Sequence, residues 1–430
     1  MILILKKIYE DEKLLIKIAL GISVVWIIAQ IVLIVCFWGK PQRSDMGVYI
    51  SIAQRCFDNE QLYPMAEDVY SKYYIYAPGF INYLILQLRI FGTLNFNSVL
   101  NLFLNIAILL EIYYLGKKFF SERTGLISVI IFCLFSSNLL IVLGANTENP
   151  FLFLCLSALC LVFSRKWKYV IAAALLFAFA NWIRPLAIIF LFASAVYFFI
   201  TKTKFYNYIT LIIPYILVLF IIGTITERKI GYFVYQSTTS GISLLATSHD
   251  NTKGLYNGYV FRKGGIGFIE NSELITFEKR DSILRNRSFE WIKAHPVKYI
   301  ALFFIKIPAL YVHDSWAHCS HWGDITTTNF LSGIDTVSKN LFIKELLKKI
   351  LLSVPYYIAI AFSFYALYIN RKKIFAVKLI FLIILVTGTL VTCIFAIMPR
   401  YHYPYIFAVI IYAAWGIDTL IERKLHQTRE

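Results

Sequence analysis

Four short polar stretches hold most of the side chains that could do chemistry. RSDMGVY (43–49) sets Asp45 just after a long apolar run, and NTENP (146–150) sets Glu148 between two such runs. NWIRP (181–185) carries Arg184, and MPRYHYP (398–404) carries Arg400, Tyr401 and His402. A carboxylate beside a membrane-length run is costly unless it is solvated or paired, so it is a functional candidate by default. Arginine is the preferred grip for phosphate, because its planar fork bonds two oxygens. Each residue also has a structural reading. Ser44 or Asp45 can cap a helix, Glu148 can sit in a capped turn, and the arginines can snorkel at an interface. Tyr73, Tyr74 and Tyr76 fit an interfacial aromatic belt as well as a site, and Pro78 suits the first turn of a helix. The densest set of potential ligands is HDSWAHCSHWGD (313–324). There His313, His318, His321 and Asp324 could hold a divalent metal, though the spacing matches no standard zinc pattern. Asp314 lies in the same stretch, which reads equally as a polar aromatic loop over a site.

What must position these residues is a set of membrane helices. The 430 residues are 59% hydrophobic, with mean hydropathy +0.67. Apolar runs of bilayer length recur between short polar breaks. The expected fold is an all-α polytopic membrane protein with spans near 18–38, 97–115, 126–145, 150–163, 169–183, 186–200, 207–225, 350–368, 374–397 and 404–421. No small-residue cleavage site follows the first run, so it reads as a span and not as a signal peptide. The net charge of +17 does not indicate nucleic acid, because the basic residues gather in short loops as membrane orientation requires. Lys6, Lys7, Lys13 and Lys17 place the N-terminus in the cytoplasm. Lys117, Lys118 and Arg123, then Arg165, Lys166 and Lys168, then Lys202 and Lys204, then Arg371, Lys372 and Lys373, and finally Arg423 and Lys424 mark further cytoplasmic segments. All are cytoplasmic together only if the ten spans alternate and the apolar stretches 78–92 and 298–312 do not cross. Asp45, Glu148, Arg184, Arg400 and the long loop 226–349 then share the outer face. In that loop a helix is expected from Glu278 to Ala294, ended by His295-Pro296. The cysteines show no CxxC pair and read as small buried hydrophobes, with Cys56 and Cys319 on the outer side.

The order of the motifs resembles the GT-C superfamily of membrane glycosyltransferases. It is most similar to the branch of protein O-mannosyltransferases and lipid A aminoarabinose transferases. The resemblance rests on Asp45 followed by Tyr49 and Ala53, YAPGF (76–80), TENPFLF (147–153), RP (184–185) and RYHYP (400–404). It covers about 18–200 and the last span. It implies a GT-C-like module over 1–225 with its first outer loop at 39–96, an extracytoplasmic loop over 226–349 with surface or re-entrant helices, and C-terminal spans over 350–430. It further implies a polyprenyl-phosphate-linked hexose or pentose as donor, a membrane-lipid setting, and an extracytoplasmic lipid, glycan or protein as acceptor. No nucleic acid is expected. By analogy Asp45 is the general base of an inverting transfer, and Glu148 orients the acceptor or tunes Asp45. Arg184, Arg400 and Tyr401 hold the donor phosphate, and Tyr49, Tyr76, His313, Asp314 and His402 contact substrate. The family often has a second acid beside the first; this chain has Met46 there. A divalent metal is compatible with the sequence and not required by it. The expected location is a bacterial-type inner membrane, with the site facing outward. The competing reading is a secondary transporter or lipid-linked sugar flippase. That class often shows inverted repeats and midplane sites, and no internal repeat is visible here.

Overall fold

The computed structural model describes residues 11–70, 74–318, 339–374 and 378–427. Among these the regular structure is helical, with no strand beyond one two-residue bridge. In order the helices are α1 (Glu12–Phe37), α2 (Ser44–Asp58), α3 (Pro78–Phe91), α4 (Asn97–Phe119), α5 (Glu122–Leu134), α6 (Ser136–Leu140), α7 (Glu148–Val162), α8 (Trp167–Ile183), α9 (Ala187–Ile200), α10 (Tyr206–Ile230), α11 (Ser240–Leu245), α12 (Phe277–Ala294), α13 (Pro296–Leu310), α14 (Lys339–Leu352), α15 (Val354–Ile369), α16 (Leu379–Ile394) and α17 (Ile406–Gln427). Each expected apolar run falls on a helix or a bent pair. Four helices are long and apolar enough to cross a membrane, or six if each of two bent pairs is one span; α7, α8, α9 and α16 are apolar but shorter.

Helix ends follow local chemistry. The Asp11 carboxylate accepts from the Leu14 N–H at 3.1 Å and opens α1, and Ser121 does the same for Thr124 at the start of α5. The stretch read as one span over 126–145 is broken instead. The backbone turns extended at Phe135 and the two pieces bend by 67°. A break leaves N–H groups without partners. Here the Asp314 carboxylate supplies them, accepting from the Ser137 N–H at 3.1 Å and from its hydroxyl. The stretch read as a span over 350–368 likewise begins in α14 and bends by 50° at Ser353, before Pro355. Helix α12 matches the expected 278–294 within one residue. At 14 and 15 residues, α3 and α13 reach only about 21–23 Å, against roughly 30 Å of hydrocarbon.

The two ends of the bundle differ in kind. At one end aromatic contacts knit the basic loops together: Phe119–Phe163 at 4.5 Å, Phe163–Tyr197 at 4.8 Å and Phe120–Trp415 at 4.9 Å. At the other end the carboxylates and arginines meet. Helix α17 is the best buried of the long helices, while α1 and α10 leave broad apolar faces exposed, as lipid-facing helices do.

Candidate active site

Four chain segments converge on one cluster. The first turn of α2 brings Asp45, the start of α7 brings Glu148, the residue closing α8 is Arg184, and a 3-10 turn over Pro399–Tyr405 brings Arg400 and Tyr401. Arg400 pairs with Asp45, and Arg184 pairs with Glu148. Arg400 Nε also lies 3.9 Å from Glu148 Oε1. Arg184 donates to the Thr147 hydroxyl at 3.3 Å, and that hydroxyl donates to Glu148 at 3.2 Å. Both guanidiniums lie near the Tyr401 ring, Arg184 at 5.5 Å and Arg400 at 5.4 Å from its centroid, within reach of its negative face. The sequence shows neither arginine an acidic neighbour; the fold gives each one. The carboxylates differ in access: the Asp45 side chain is 44% exposed and that of Glu148 3%. Asp45 is therefore accessible from outside the protein, while Glu148 is enclosed by it.

The surroundings fix this geometry. Gln42 donates to the Leu143 carbonyl at 3.1 Å and accepts from the Ala145 N–H at 2.7 Å, which sets the turn before Glu148. Backbone N–H groups of Ile75 and Ala77 donate to Thr238 and Ser237, tying YAPGF to the long loop. Gly79 touches the end of α8: a Cβ there would stand 2.7 Å from the Trp182 carbonyl carbon and 2.9 Å from the Ile183 nitrogen. Gly79→Ala is expected to push α3 off α8 and displace Arg184. The expected loss is about 1–3 kcal/mol of stability and at least tenfold in whatever activity the cluster supports. Melting temperature and turnover on the purified variant check this, and wild-type turnover would show that the contact does not set the position of Arg184.

Two supporting residues were missed in sequence. Lys306, buried in α13, donates to the Thr247 hydroxyl at 3.1 Å and to the Cys393 and Phe395 carbonyls at 3.0 and 3.1 Å. It binds the long loop to the segment that leads into Arg400. A lone lysine in the apolar stretch ALFFIKIPAL was the available signal. Tyr256 follows Leu255, which bridges to Ile397. Burial, with Tyr401 and Asp45 nearby, pushes the Tyr256 phenol above its usual range. Burial also raises Tyr49 and Tyr76, and Asp45 adds to both. These phenols stay protonated, and all three feel the Asp45 charge.

No protein-family model matches the chain, and no curated protein matches it in sequence. Among solved structures it is similar to the archaeal oligosaccharyltransferase AglB from Archaeoglobus fulgidus in complex with an inhibitory peptide and a dolichol-phosphate. The TM-score is 0.50 at 12% identity, covering 96% of this chain and 51% of that one. The Archaeoglobus fulgidus oligosaccharyltransferase complex with Zn and sulfate gives 0.49 at 13%, covering 94% and 49%. The fold is GT-C-like. The chain spans about half the length of the solved structures it matches. At this identity the likeness concerns fold alone.

Within the GT-C-like fold, Asp45, Glu148, Arg184, Arg400, Tyr401, Tyr49 and Tyr76 come together. Asp314 and His402 do not join them. Both are fully buried, with His402 Nε2 3.7 Å from Asp314 Oδ1. Besides capping α6, Asp314 faces the His402 ring edge, whose Nε2 makes no hydrogen bond, while His402 Nδ1 bonds the Leu310 carbonyl at 2.9 Å and its ring stacks on Tyr311 and Tyr356. His313 is buried beside them, its Nδ1 3.1 Å from the Ser315 hydroxyl. These residues brace the bend in the α5–α6 pair. Among the described residues no three His, Cys, Asp or Glu side chains converge as a metal site; Cys319, His321 and Asp324 lie outside the described residues.

Proposed function

We propose that this chain is a glycosyltransferase that moves a sugar from a polyprenyl-phosphate-linked donor to an extracytoplasmic acceptor, with inversion. One observation carries the reading: a half-exposed carboxylate, Asp45, is held by the partly buried Arg400 where the apolar helices end. In the proposed step the acceptor hydroxyl attacks the anomeric carbon and Asp45 takes its proton. The bond between that carbon and the phosphate oxygen breaks, and polyprenyl phosphate leaves with the negative charge. Arg400, seconded by Arg184, stabilises that charge as it develops. Arg400 Nε is buried without a hydrogen-bond acceptor, a costly state for a donor, and a phosphate oxygen would relieve it. The basic loops at the opposite end support an outward-facing site in a bacterial-type inner membrane. The dolichol-phosphate in the AglB structure is in keeping with a lipid-phosphate donor. The motif order favours the O-mannosyltransferase or aminoarabinose branch, hence a hexosyl or pentosyl donor.

The test uses the full chain in proteoliposomes with labelled polyprenyl-phosphate mannose and, separately, polyprenyl-phosphate aminoarabinose, plus an envelope extract as acceptor source. Label should pass to an acceptor while free polyprenyl phosphate accumulates. Donor crossing the bilayer with its sugar bond intact would instead indicate a flippase.

A further inference from the structure

Beside the cluster, the segments that follow α1 and precede α4 line an open cavity of about 340 Å³, whose wall includes Gly39, Lys40, Gln42, Arg43, Asn95 and Ser98. The chain turns into it at Gly39, whose φ of +71° favours glycine. The cations here differ from those of the cluster. Arg184 and Arg400 each meet a carboxylate, whereas Lys40 and Arg43 are exposed and make no ion pair among the described residues. Lys40 Nζ stands 4.4 Å from the centroid of the Phe37 ring, and both residues line the cavity.

The level of the cavity is set by aromatic rings. Trp38 packs edge-on against Phe96 at 5.5 Å, and Phe91 stacks on Phe96 at 4.9 Å. All three are exposed, and exposed aromatics of this kind mark the membrane–water interface. On the bilayer side of these rings α1 exposes Ile31, Val32 and Val35, and α4 exposes Phe103. A polar cavity with two unpaired cations thus sits above an aromatic belt and two bare apolar helix faces. That profile matches a lipid, with an anion at the head and hydrocarbon below.

We propose that this cavity binds the phosphate of an anionic membrane phospholipid, as a site separate from the carboxylate–arginine cluster. Lys40 and Arg43 supply the charge, Asn95 and Ser98 the neutral hydrogen bonds, and the α1 and α4 faces the bed for the acyl chains. Gln42 links the cavity wall to the Leu143–Ala145 turn, so an occupant bears on the chain three residues before Glu148. The assignment does not depend on the reaction catalysed.

Native mass spectrometry of the full chain, titrated with dioleoyl phosphatidylglycerol, tests it. Wild type should retain the lipid, and Lys40→Gln/Arg43→Gln should weaken retention by roughly tenfold to thirtyfold, the loss expected for two interfacial cations. The melting temperature should hardly move, because both side chains are exposed and neither makes an ion pair among the described residues. Unchanged affinity in the double variant overturns the proposal. Two competitors identify the occupant. If polyprenyl phosphate displaces phosphatidylglycerol at lower concentration, the cavity belongs to the donor path, and the phospholipid assignment fails. If millimolar inorganic phosphate displaces it, the cavity is a general anion site, and the assignment fails equally.

Discussion

Asp45→Asn is expected to abolish sugar transfer while leaving the protein folded. General base catalysis contributes roughly 10²–10⁴-fold, and an amide at this position cannot accept the acceptor's proton. The structural consequence should be small. The Asp45 side chain is 44% exposed, so its pairing with Arg400 is partly screened by water and adds little to stability. Arg400 also keeps Glu148 within 3.9 Å. Expression and melting temperature should therefore stay near wild type while turnover of a polyprenyl-phosphate sugar collapses. Residual activity above about a tenth of wild type is incompatible with a base contributing at that scale, and would move the role to another group.

Much of this arrangement is legible in sequence, for a physical reason. Bilayer-length apolar runs and the placement of lysines and arginines are local signals, so α1, α4, α7 to α10 and α15 to α17 sit near where hydropathy puts them. The residues of the cluster are legible because each stands at a helix end marked by a polar break or a proline: Asp45 after α1, Glu148 before Pro150, Arg184 before Pro185, Arg400 after Pro399. Pairings are another matter. Arg400 finds Asp45 across 355 positions, and no periodicity encodes that distance. The bend at Phe135 is hidden for the same reason. Its polar cost is met by Asp314, 177 positions from Ser137, so the run 126–145 looks unbroken. Asp314 and His402 draw attention as ligand-capable residues, yet their roles are set by the broken helix they brace. Tyr256 had no signal beyond its place in a glycine- and tyrosine-rich loop.

The two arginines are expected to respond differently to substitution, and the difference separates chemistry from scaffolding. Arg400 joins the exposed carboxylate to the buried one and has an Nε without an acceptor. A lysine there keeps the charge but offers one compact ammonium in place of a fork, and cannot hold Asp45 and a phosphate oxygen together. Arg400→Lys should keep its melting temperature and lose donor affinity, with turnover falling by about 10²–10³, the scale for one charge-stabilising donor in a transition state. Arg184 is tied more to the protein, through Glu148, Thr147 and the Tyr401 ring. Arg184→Gln leaves a carboxylate that is 3% exposed with a single cation at 3.9 Å. Breaking a buried pair from one side costs about 3–5 kcal/mol, whereas removing both charges is often close to neutral. The double variant Glu148→Gln/Arg184→Gln should therefore regain most of the stability lost by Arg184→Gln alone. If the pair were only a strut between α7 and α8, activity would return with stability. In a site that uses Glu148 to tune Asp45 and Arg184 to second Arg400, the double variant is stable and still inactive. Melting temperature, polyprenyl-phosphate affinity and turnover, measured together on Arg400→Lys, Arg184→Gln and the double variant, decide the matter. Unchanged donor affinity per folded molecule in all three would remove both arginines from the donor site.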